Sequence, residues 1–412
     1  MTGKSGWRAA LPILRHADFR NFLIGRIATN IGWQMLEVAV GWQVYSMTHD
    51  PLALGVVGLC EFLPFFSLVL VGGHVADHVN RRRIIITTAT IEALCAAALL
   101  WITLSGVTRP WPVYAAIAIY GATRAFWAPA MQAFLVNIVP RGEFTAAAAL
   151  DSLLRQSGVV LGPALGGMLY LAGARVVYAS CAGLFIVTVL MMWRVRVQLP
   201  VLPRNVRPLH ERGHELLEGL HHVMRNPVVL GCISLDLFAV LLGGAVALLP
   251  IYAADILHTG PVGLGLLRSA PAAGAAMVGI WLAFRPLRDH AGAWMFGGVA
   301  VFGVATIAFG LSTTFPLSLL ALIIAGAGDM ISVYLRTVLV QLNTPDGIRG
   351  RVSAVNSMFI GASNELGAFE SGVMARVMGT VPSVVVGGMA TLAVVATWMR
   401  LFPQLRRMPS LR

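Results

Sequence analysis

The fold class that the sequence predicts is an all-α integral membrane protein with twelve transmembrane helices in two pseudo-symmetric six-helix bundles. Hydrophobic residues make up 57% of the 412-residue chain and charged residues only 12%, about half the usual share in soluble proteins. Apolar runs of about 20 residues, long enough to cross a bilayer as helices, recur along the whole chain. Features of the first half also recur in the second half at a nearly constant offset.

Twelve apolar runs are predicted, in two groups of six separated by a polar stretch at 198–226. Their predicted boundaries are 19–47, 52–76, 84–106, 111–139, 146–173, 175–197, 227–257, 262–285, 293–312, 316–342, 352–379 and 381–401. The segment before the first run is too polar for a signal peptide, so this span is predicted to stay in the protein. The predicted organisation is an N-terminal bundle at 1–197, a cytoplasmic linker with a short amphipathic helix at 198–226, and a C-terminal bundle with a basic tail at 227–412.

Basic residues predict the orientation of these spans. Most of the 30 Lys and Arg residues lie in the amino-terminal segment, in the loops after spans 2, 4, 6, 8 and 10, and in the carboxy-terminal tail. Only Arg109 and Arg175 fall in the opposite set of loops. The positive-inside rule therefore predicts a multi-pass protein of a bacterial-type inner (plasma) membrane with both termini in the cytoplasm. The net charge of +12 reflects this orientation, and a nucleic-acid partner is not predicted.

The two groups of spans look like duplicated units. An offset of 205 positions aligns Pro140 with Pro345, Ser152 with Ser357, Gly162 with Gly367 and Gly167 with Gly372. Two such bundles are the architecture of alternating-access transporters, whose substrate sites lie near the middle of the membrane. Chance coincidence of Gly and Pro is the alternative, and the shared offset of four pairs argues against it.

Charged side chains inside the spans are candidates for function, because burying them costs several kcal/mol unless they are paired or face water. Similar depth in the membrane makes Glu37 and Arg124 one candidate pair in the N-terminal bundle. Asp236 and Arg336 form a second candidate pair in the C-terminal bundle. Asp329 occupies the repeat position of Arg124, so one fold position carries opposite charges in the two halves.

Glu365 lies at mid-depth in span 11 and is a further candidate. A carboxyl desolvated at this depth can load and release a proton. Glu61 and Glu92 are similar in kind. The alternative for all of these charges is that they lock helices together or reach toward the interface, and this alternative is favoured for Glu92, Arg268 and Arg376.

Span 5 contains GVVLGPALGG at 158–167, with a small residue at every fourth position. Gly158, Gly162 and Gly166 share one helix face, so a neighbouring helix can approach to backbone contact. Pro163 removes a backbone donor and bends the helix. Ordinary tight packing is the alternative to a functional role.

With these residues the chain resembles the major facilitator superfamily, and the resemblance covers nearly its whole length. Within that superfamily it resembles the drug and siderophore exporter branch, which includes enterobactin exporter-like multidrug proteins. Gly158, Gly162, Pro163, Gly166 and Gly167 match the antiporter motif of its exporters. The stretch 344–372 resembles the same branch. Arg124 resembles the fourth-helix arginine that the superfamily associates with proton coupling.

GGHVADHVNRRR at 72–83 is similar to the signature of this superfamily between spans 2 and 3. Gly73, Asp77, Arg81 and Arg82 fit that signature. Asn80 replaces a glycine, and it is expected to keep the turn by adopting positive φ. Asp77 is predicted to meet the start of span 11 and to hold the two halves shut on the cytoplasmic side. These four residues are therefore the predicted conformational latch.

The linker holds a competing motif, His210-Glu211-Arg212-Gly213-His214, a literal HExxH. On a helix its two His could hold zinc with Glu as base, as in metalloproteases. Pro208 and Gly213 disfavour a regular helix there, and the polar stretch is too short for a catalytic domain. A nucleotide-driven pump is also disfavoured, because Lys4 is the only lysine and no P-loop lysine is available.

The sequence therefore predicts a secondary active transporter, not an enzyme, that uses alternating access and needs no cofactor or resident metal. Its predicted activity is proton-coupled efflux of an amphipathic organic compound such as a siderophore, a drug or a metabolite. Its partners are a small-molecule substrate, protons and membrane lipids, and it is predicted to be a monomer. The aromatic residues predicted to line the substrate cavity are Trp33, Phe126, Trp127, Phe238 and Tyr334. An uncoupled facilitator or a lysolipid flippase is the alternative function.

Overall fold

The structure is a computed structural model, and it describes residues 12–196, 209–287, 289–406 and 408. Its long helices are α1 (Ala17–Thr48), α2 (Pro51–His78), α3 (Arg81–Leu104), α4 (Trp111–Ile138), α5 (Phe144–Leu169), α6 (Ala174–Arg194), α7 (Leu209–Arg225), α8 (Pro227–Gly243), α9 (Gly260–Phe284), α10 (Ala291–Leu311), α11 (Phe315–Leu342), α12 (Arg349–Met378) and α13 (Thr380–Leu401). Short helical turns are Pro12–Arg15, Arg141–Glu143, Tyr170–Ala172, Val246–Leu248, Leu249–Ile251, Tyr252–Ile256, Asp346–Ile348 and Pro403–Arg406. Each predicted span except the seventh corresponds to one long helix, and α7 is the helix predicted for the linker.

Eight helices of the described chain are long and apolar enough to cross a membrane by length and composition alone. The four other span helices, α1, α4, α5 and α12, are also long but carry more polar residues. These four helices contain Glu37, Arg124 and Glu365, three of the charged residues proposed above for function. Polar side chains in a spanning helix need protein or water to face.

The predicted seventh span is interrupted, and this corrects the prediction of one continuous helix over 227–257. Helix α8 ends at Gly243, and the chain continues through the short turns Val246–Leu248 and Leu249–Ile251 into a π-helical turn at Tyr252–Ile256. Two successive glycines, Gly243 and Gly244, weaken the helix at this point, and Pro250 lacks a backbone donor.

Unit 1 comprises Met1–Gln43 and Leu63–Leu209. Helix α3 packs against α4 and α6 within it. A cluster of fully buried apolar side chains lies among its helices, including Phe19, Phe22 and Phe134. Helices α2 and α4 touch through their backbones, because a Cβ atom at Gly72 would lie 2.1 Å from the carbonyl oxygen of Ala125.

Unit 2 comprises Val44–Phe62 and His210–Arg412. Within it, α11 packs against α9 and α10, and α8 packs against α12 and α13. The segment Val44–Phe62, predicted as part of the N-terminal bundle, belongs to this unit. A Cβ atom at Gly55 would lie 3.1 Å from the carbonyl oxygen of Phe369, and one at Gly372 would lie 2.9 Å from that of Pro51. These glycines allow the start of α2 to approach the backbone of α12.

Two turns repeat between the units with nearly identical geometry. Pro140 precedes the turn before α5 with φ −57° and ψ 142°, and Pro345 precedes the turn before α12 with φ −57° and ψ 144°. Gly173 ends the turn after α5 with φ 97° and ψ 157°, and Gly379 follows α12 with φ 92° and ψ 157°. The internal similarity read from the sequence is thus also present in the backbone.

Candidate functional site

A buried ion pair joins α1 and α5 in unit 1. Nε of Arg26 lies 3.0 Å from Oδ1 of Asp151, and the residue Arg26 is 8% exposed. The guanidinium carbon of Arg26 also lies 4.8 Å from the ring centroid of Trp127. A cation over an indole face is attracted by the ring quadrupole. The pair and the ring contact together hold an arginine inside the helical unit.

An aromatic group surrounds Trp33 in the same unit. Its ring centroid lies 4.3 Å from that of Trp127 and 6.3 Å from that of Tyr120, both edge to face. The guanidinium carbon of Arg124 lies 5.4 Å from the Trp33 ring centroid. Trp33 is half-buried and Trp127 is 5% exposed, while Phe126 is half-buried beside the unit 1 core. The predicted pair of Glu37 and Arg124 remains a prediction.

The glycines of the predicted antiporter motif face α1. A Cβ atom at Gly162 would lie 2.5 Å from Cβ of Gln34, and one at Gly166 would lie 2.9 Å from Cα of Met35. At Gly158 the same atom would lie 2.4 Å from the side-chain nitrogen of Asn30. These overlaps show that α5 approaches α1 more closely than any side chain would allow.

Two arginines in the first turn of α3, directly after the α2–α3 loop, bind to other helices of unit 1. Arg81 donates to the carbonyl oxygen of Ala133 on α4 at 3.3 Å. Arg82 donates from Nε to the carbonyl oxygen of Met192 at 2.8 Å, near the end of α6. Cationic side chains stabilise the carbonyl end of a helix. Asp77 is exposed, Gly73 is half-buried, and their role as a latch remains a prediction.

Asn80 corrects one expectation about this loop. Its φ is −56°, so it does not replace glycine by adopting positive φ. Its side-chain oxygen accepts a hydrogen bond from the backbone nitrogen of Arg82 at 3.0 Å. Asn80 therefore caps the amino end of α3, a role for which asparagine is among the preferred residues.

The structure brings together the predicted charged pair of unit 2. Nη1 of Arg336 on α11 forms an ion pair with Oδ2 of Asp236 on α8, and the two residues are 3% and 5% exposed. Asp329 lies two turns earlier on α11 and is half-buried. The interior of this unit thus holds one ion pair, and a second carboxylate lies on the same helix as its arginine.

The remaining predicted residues of unit 2 are Glu365, Phe238 and Tyr334. Glu365 is half-buried on α12, and its Oε2 atom is 3.4 Å from the position of a Cβ atom at Gly58. Phe238 is 38% exposed, with its ring centroid 5.3 Å from that of Trp398. Tyr334 is half-buried against the core of the unit.

Helix α7 docks on the start of α12. Arg351 forms an ion pair with Glu218, and a Cβ atom at Gly219 would lie 2.9 Å from the backbone carbonyl of Arg351. His210, Glu211 and His214 lie on α7, but their side chains are outside the described residues. Among the residues that the structure does describe, no group of three His, Cys, Asp or Glu could hold a metal ion.

Several contacting polar residues are absent from the predicted set. Asp151 is one of them. It lies in the second turn of its helix, where an acidic residue is common and does not indicate a functional role. Tyr45 and Asp255 are others, and their side chains are hydrogen-bonded within unit 2. In the sequence, these three residues are distinguished only as polar or ionisable residues near the end of a predicted span.

A family described as transmembrane secretion effector matches residues 8–411 of this chain. The chain belongs to this family. The transporter is also similar to the enterobactin exporter EntS of Citrobacter koseri, with 26% identity covering 98% of this chain and 96% of the relative. EntS of Shigella flexneri is 25% identical over the same shares.

Solved structures share the fold of the transporter. The nucleoside transporter NupG has a TM-score of 0.72 at 13% identity, covering 93% of this chain and 99% of that one. A peptide transporter POT in complex with sulfate has a TM-score of 0.73 at 12% identity, covering 99% and 100%. The fold is therefore the all-α major facilitator fold of a multi-pass membrane transporter. The protein is a transporter and not an enzyme, so the metalloprotease alternative is wrong.

Proposed function

We propose that this transporter is a proton-coupled exporter of an amphipathic organic compound. It moves the compound from the cytoplasm across a bacterial-type inner membrane by alternating access. The full-length similarity to enterobactin exporters supports export and makes siderophores of the enterobactin kind the first substrates to test. Drugs and other amphipathic metabolites are the wider class.

The observation that supports proton coupling is the buried pair of Asp236 and Arg336, with the half-buried Asp329 two turns before Arg336 on α11. One arginine can neutralise one carboxylate, so the second carboxylate is favoured as a neutral acid in a desolvated interior. Substrate binding or a change of access state that moves Arg336 would release or take up a proton. The residues proposed for this charge network are Glu37, Arg124, Asp236, Asp329, Arg336 and Glu365.

Aromatic residues in each unit support an amphipathic substrate. Trp33, Phe126 and Trp127 of unit 1 are proposed to contact it, as are Phe238 and Tyr334 of unit 2. Aromatic rings supply large apolar contact areas and can stack on planar groups. The arginines over Trp33 and Trp127 add positive charge beside those rings.

The conformational elements of the proposal are the α2–α3 loop and the α5 glycines. Gly73, Asp77, Arg81 and Arg82 are proposed as the cytoplasmic latch. The close contact of the α5 glycines with α1 is proposed to keep unit 1 rigid while the access state changes. Both termini are proposed to lie in the cytoplasm.

Proteoliposomes with an imposed pH gradient test the proposed function. Uptake of enterobactin by transporters that face inside out in these proteoliposomes should follow the gradient in the wild type. Asp329→Asn should lower this uptake about tenfold, a typical size for coupling between two sites. Asp346→Asn is the matched control, because this carboxylate is exposed in a short turn and should leave the rate unchanged. A panel of amphipathic compounds would be measured in parallel.

Proton coupling would be contradicted if wild-type transport did not depend on the gradient and if Asp329→Asn left the transport rate unchanged. That outcome would favour the uncoupled facilitator. Movement of lysolipid without movement of any tested soluble compound would favour the flippase.

A further inference from the structure

Glu92 of α3 is a fully buried carboxyl in the interior of unit 1. The residue has 0% exposure, and no ion pair within 4 Å is formed by it among the described residues. Its Oε1 atom lies 3.2 Å from Oγ1 of Thr123 on α4. Its Oε2 atom is buried and makes no hydrogen bond. A carboxylate in this position would carry its charge with very little compensation.

The hydroxyl of Thr123 has two acceptors and only one proton. Its Oγ1 atom lies 2.6 Å from the carbonyl oxygen of Tyr120, one turn earlier on α4, and 3.2 Å from Glu92. If the hydroxyl donates to the nearer carbonyl, its oxygen is free to accept a hydrogen bond from the carboxylic O–H of a neutral Glu92. A neutral Glu92 then completes both hydrogen bonds. A charged Glu92 would draw the hydroxyl proton away from the carbonyl of Tyr120.

Trp33 of α1 offers a second partner. Its Nε1 atom is buried and makes no hydrogen bond, and its ring packs edge to face against Tyr120, whose carbonyl oxygen accepts from Thr123. An indole N–H can only donate, so it can stabilise a charged Glu92 but cannot accept from a neutral one. Arg124, next to Thr123 on α4, lies over the ring of this same Trp33.

Further ionisable groups lie on α3 itself and on the helices around it. Helix α3 itself places Cys95 next to Glu92, and α1 carries Glu37 one turn beyond Trp33. On α6, which packs along α3, Tyr178 donates to Gln43 and Cys181 contacts the carbonyl oxygen of Gly32. The charge state of Glu92 is therefore linked mainly to Trp33, Thr123 and Arg124.

We propose that Glu92 is a proton-binding site of unit 1, neutral when it donates to Thr123 and charged when Trp33 and Arg124 turn toward it. This proposal rests on the proposed proton-coupled function and adds a site outside its charge network. The structural alternative is a permanently neutral glutamic acid whose only role is the hydrogen bond between α3 and α4.

Infrared spectroscopy of the purified full-length protein in lipid tests the proposal without any substrate. A neutral carboxylic acid has its own C=O stretching band, which disappears on ionisation. Among the bands of neutral acids, we expect one that fades on alkaline titration, is absent in Glu92→Gln and remains in Asp329→Asn. The matched control is Glu370→Gln, which removes a half-buried carboxyl of α12 and should leave this band in place. Thr123→Val should shift its frequency, because the neutral acid loses its acceptor.

Thr123→Val also covers the case in which Glu92→Gln does not fold. A spectrum that is unchanged in Glu92→Gln or in Thr123→Val would overturn the assignment. A band assigned to Glu92 that never responds to pH would leave only the structural role and would overturn it equally.

Transport adds a separate readout. Glu92→Gln should lower gradient-driven transport about tenfold, while exchange at equal pH on both sides continues. Gradient-independent transport by the wild type would contradict the proposed coupling, whatever the infrared result. Gradient-driven transport that is normal in Glu92→Gln would contradict the role of Glu92 alone.

Discussion

At the scale of residues, the buried ion pair of unit 2 depends on both of its members. Asp236 and Arg336 are both nearly inaccessible, and each removes the charge penalty of the other. A buried pair adds little net stability, but removing one partner leaves an uncompensated charge inside the protein. The cost of a substitution should therefore depend on what happens to the other residue.

Asp236→Ala should destabilise the protein by about 3–5 kcal/mol, because Arg336 would remain buried without its main partner. The double change Asp236→Ala with Arg336→Met should recover most of this loss, since neither member of the ion pair is then left without the other. Thermal unfolding in detergent at constant pH measures both. A double variant that is as unstable as the single one would contradict the account and would indicate that packing, not charge, sets the cost.

Depth in the membrane was sufficient to predict which residues of unit 2 pair, but it was insufficient in unit 1. Asp236 and Arg336 lie at matching depths, and their pairing followed from that alone. Arg26 and Asp151 also pair, yet no depth argument selected them, because the rotation of a helix about its axis cannot be read from one sequence. Glu92 shows the same limit, since nothing in its span reveals that its carboxyl is fully enclosed.

At the scale of elements, glycine spacing determines how closely α5 approaches α1. The sequence predicted this seam, because three glycines recur at every fourth position. It did not predict which helix lies opposite, and the contacts with Asn30, Gln34 and Met35 identify α1. Small residues at a helix interface permit the backbone contacts that stabilise membrane helices.

Gly162→Ala should destabilise unit 1, and Gly183→Ala on α6 is its matched control. Both changes gain about 1 kcal/mol of helix propensity over glycine. A Cβ atom at position 162 would overlap Gln34, whereas one at 183 has no neighbour within 4 Å. Overpacking costs about 1–3 kcal/mol, so thermal unfolding should rank Gly162→Ala below Gly183→Ala. Equal unfolding temperatures would mean that α5 can move away from α1 without cost.

Helix boundaries were more predictable than backbone detail within them. Long apolar runs fix where a span begins and ends to within a few residues, since the backbone must be hydrogen-bonded inside the membrane. The break after Gly243 was missed, because an apolar run keeps its hydropathy whether or not the helix is continuous. Asn80 was misjudged because a signature position that favours glycine does not by itself establish positive φ.

At the scale of the whole molecule, the repeat is the feature that sequence and structure share most fully. The matched turns after Pro140 and Pro345 place α5 and α12 in equivalent positions of their own units. The predicted boundary between bundles remains a prediction, and by its contacts the segment Val44–Phe62 groups with unit 2. Its glycine contacts with α12 are long-range, and linear order carries no information about them.

Orientation is the whole-molecule property that loop charge alone predicts, and cysteine labelling can test it. Thr108 lies exposed in the α3–α4 loop, and Gly347 lies exposed in the turn between α11 and α12. Each would be changed to cysteine in a Cys60→Ala background, because the other three cysteines are buried. A membrane-impermeant thiol reagent should label Thr108→Cys in intact cells but Gly347→Cys only after permeabilisation. The reason is that basic residues, such as Arg349 and Arg351 beside the second position, are retained in the cytoplasm. The reverse pattern would contradict cytoplasmic termini and would turn the proposed export direction into import.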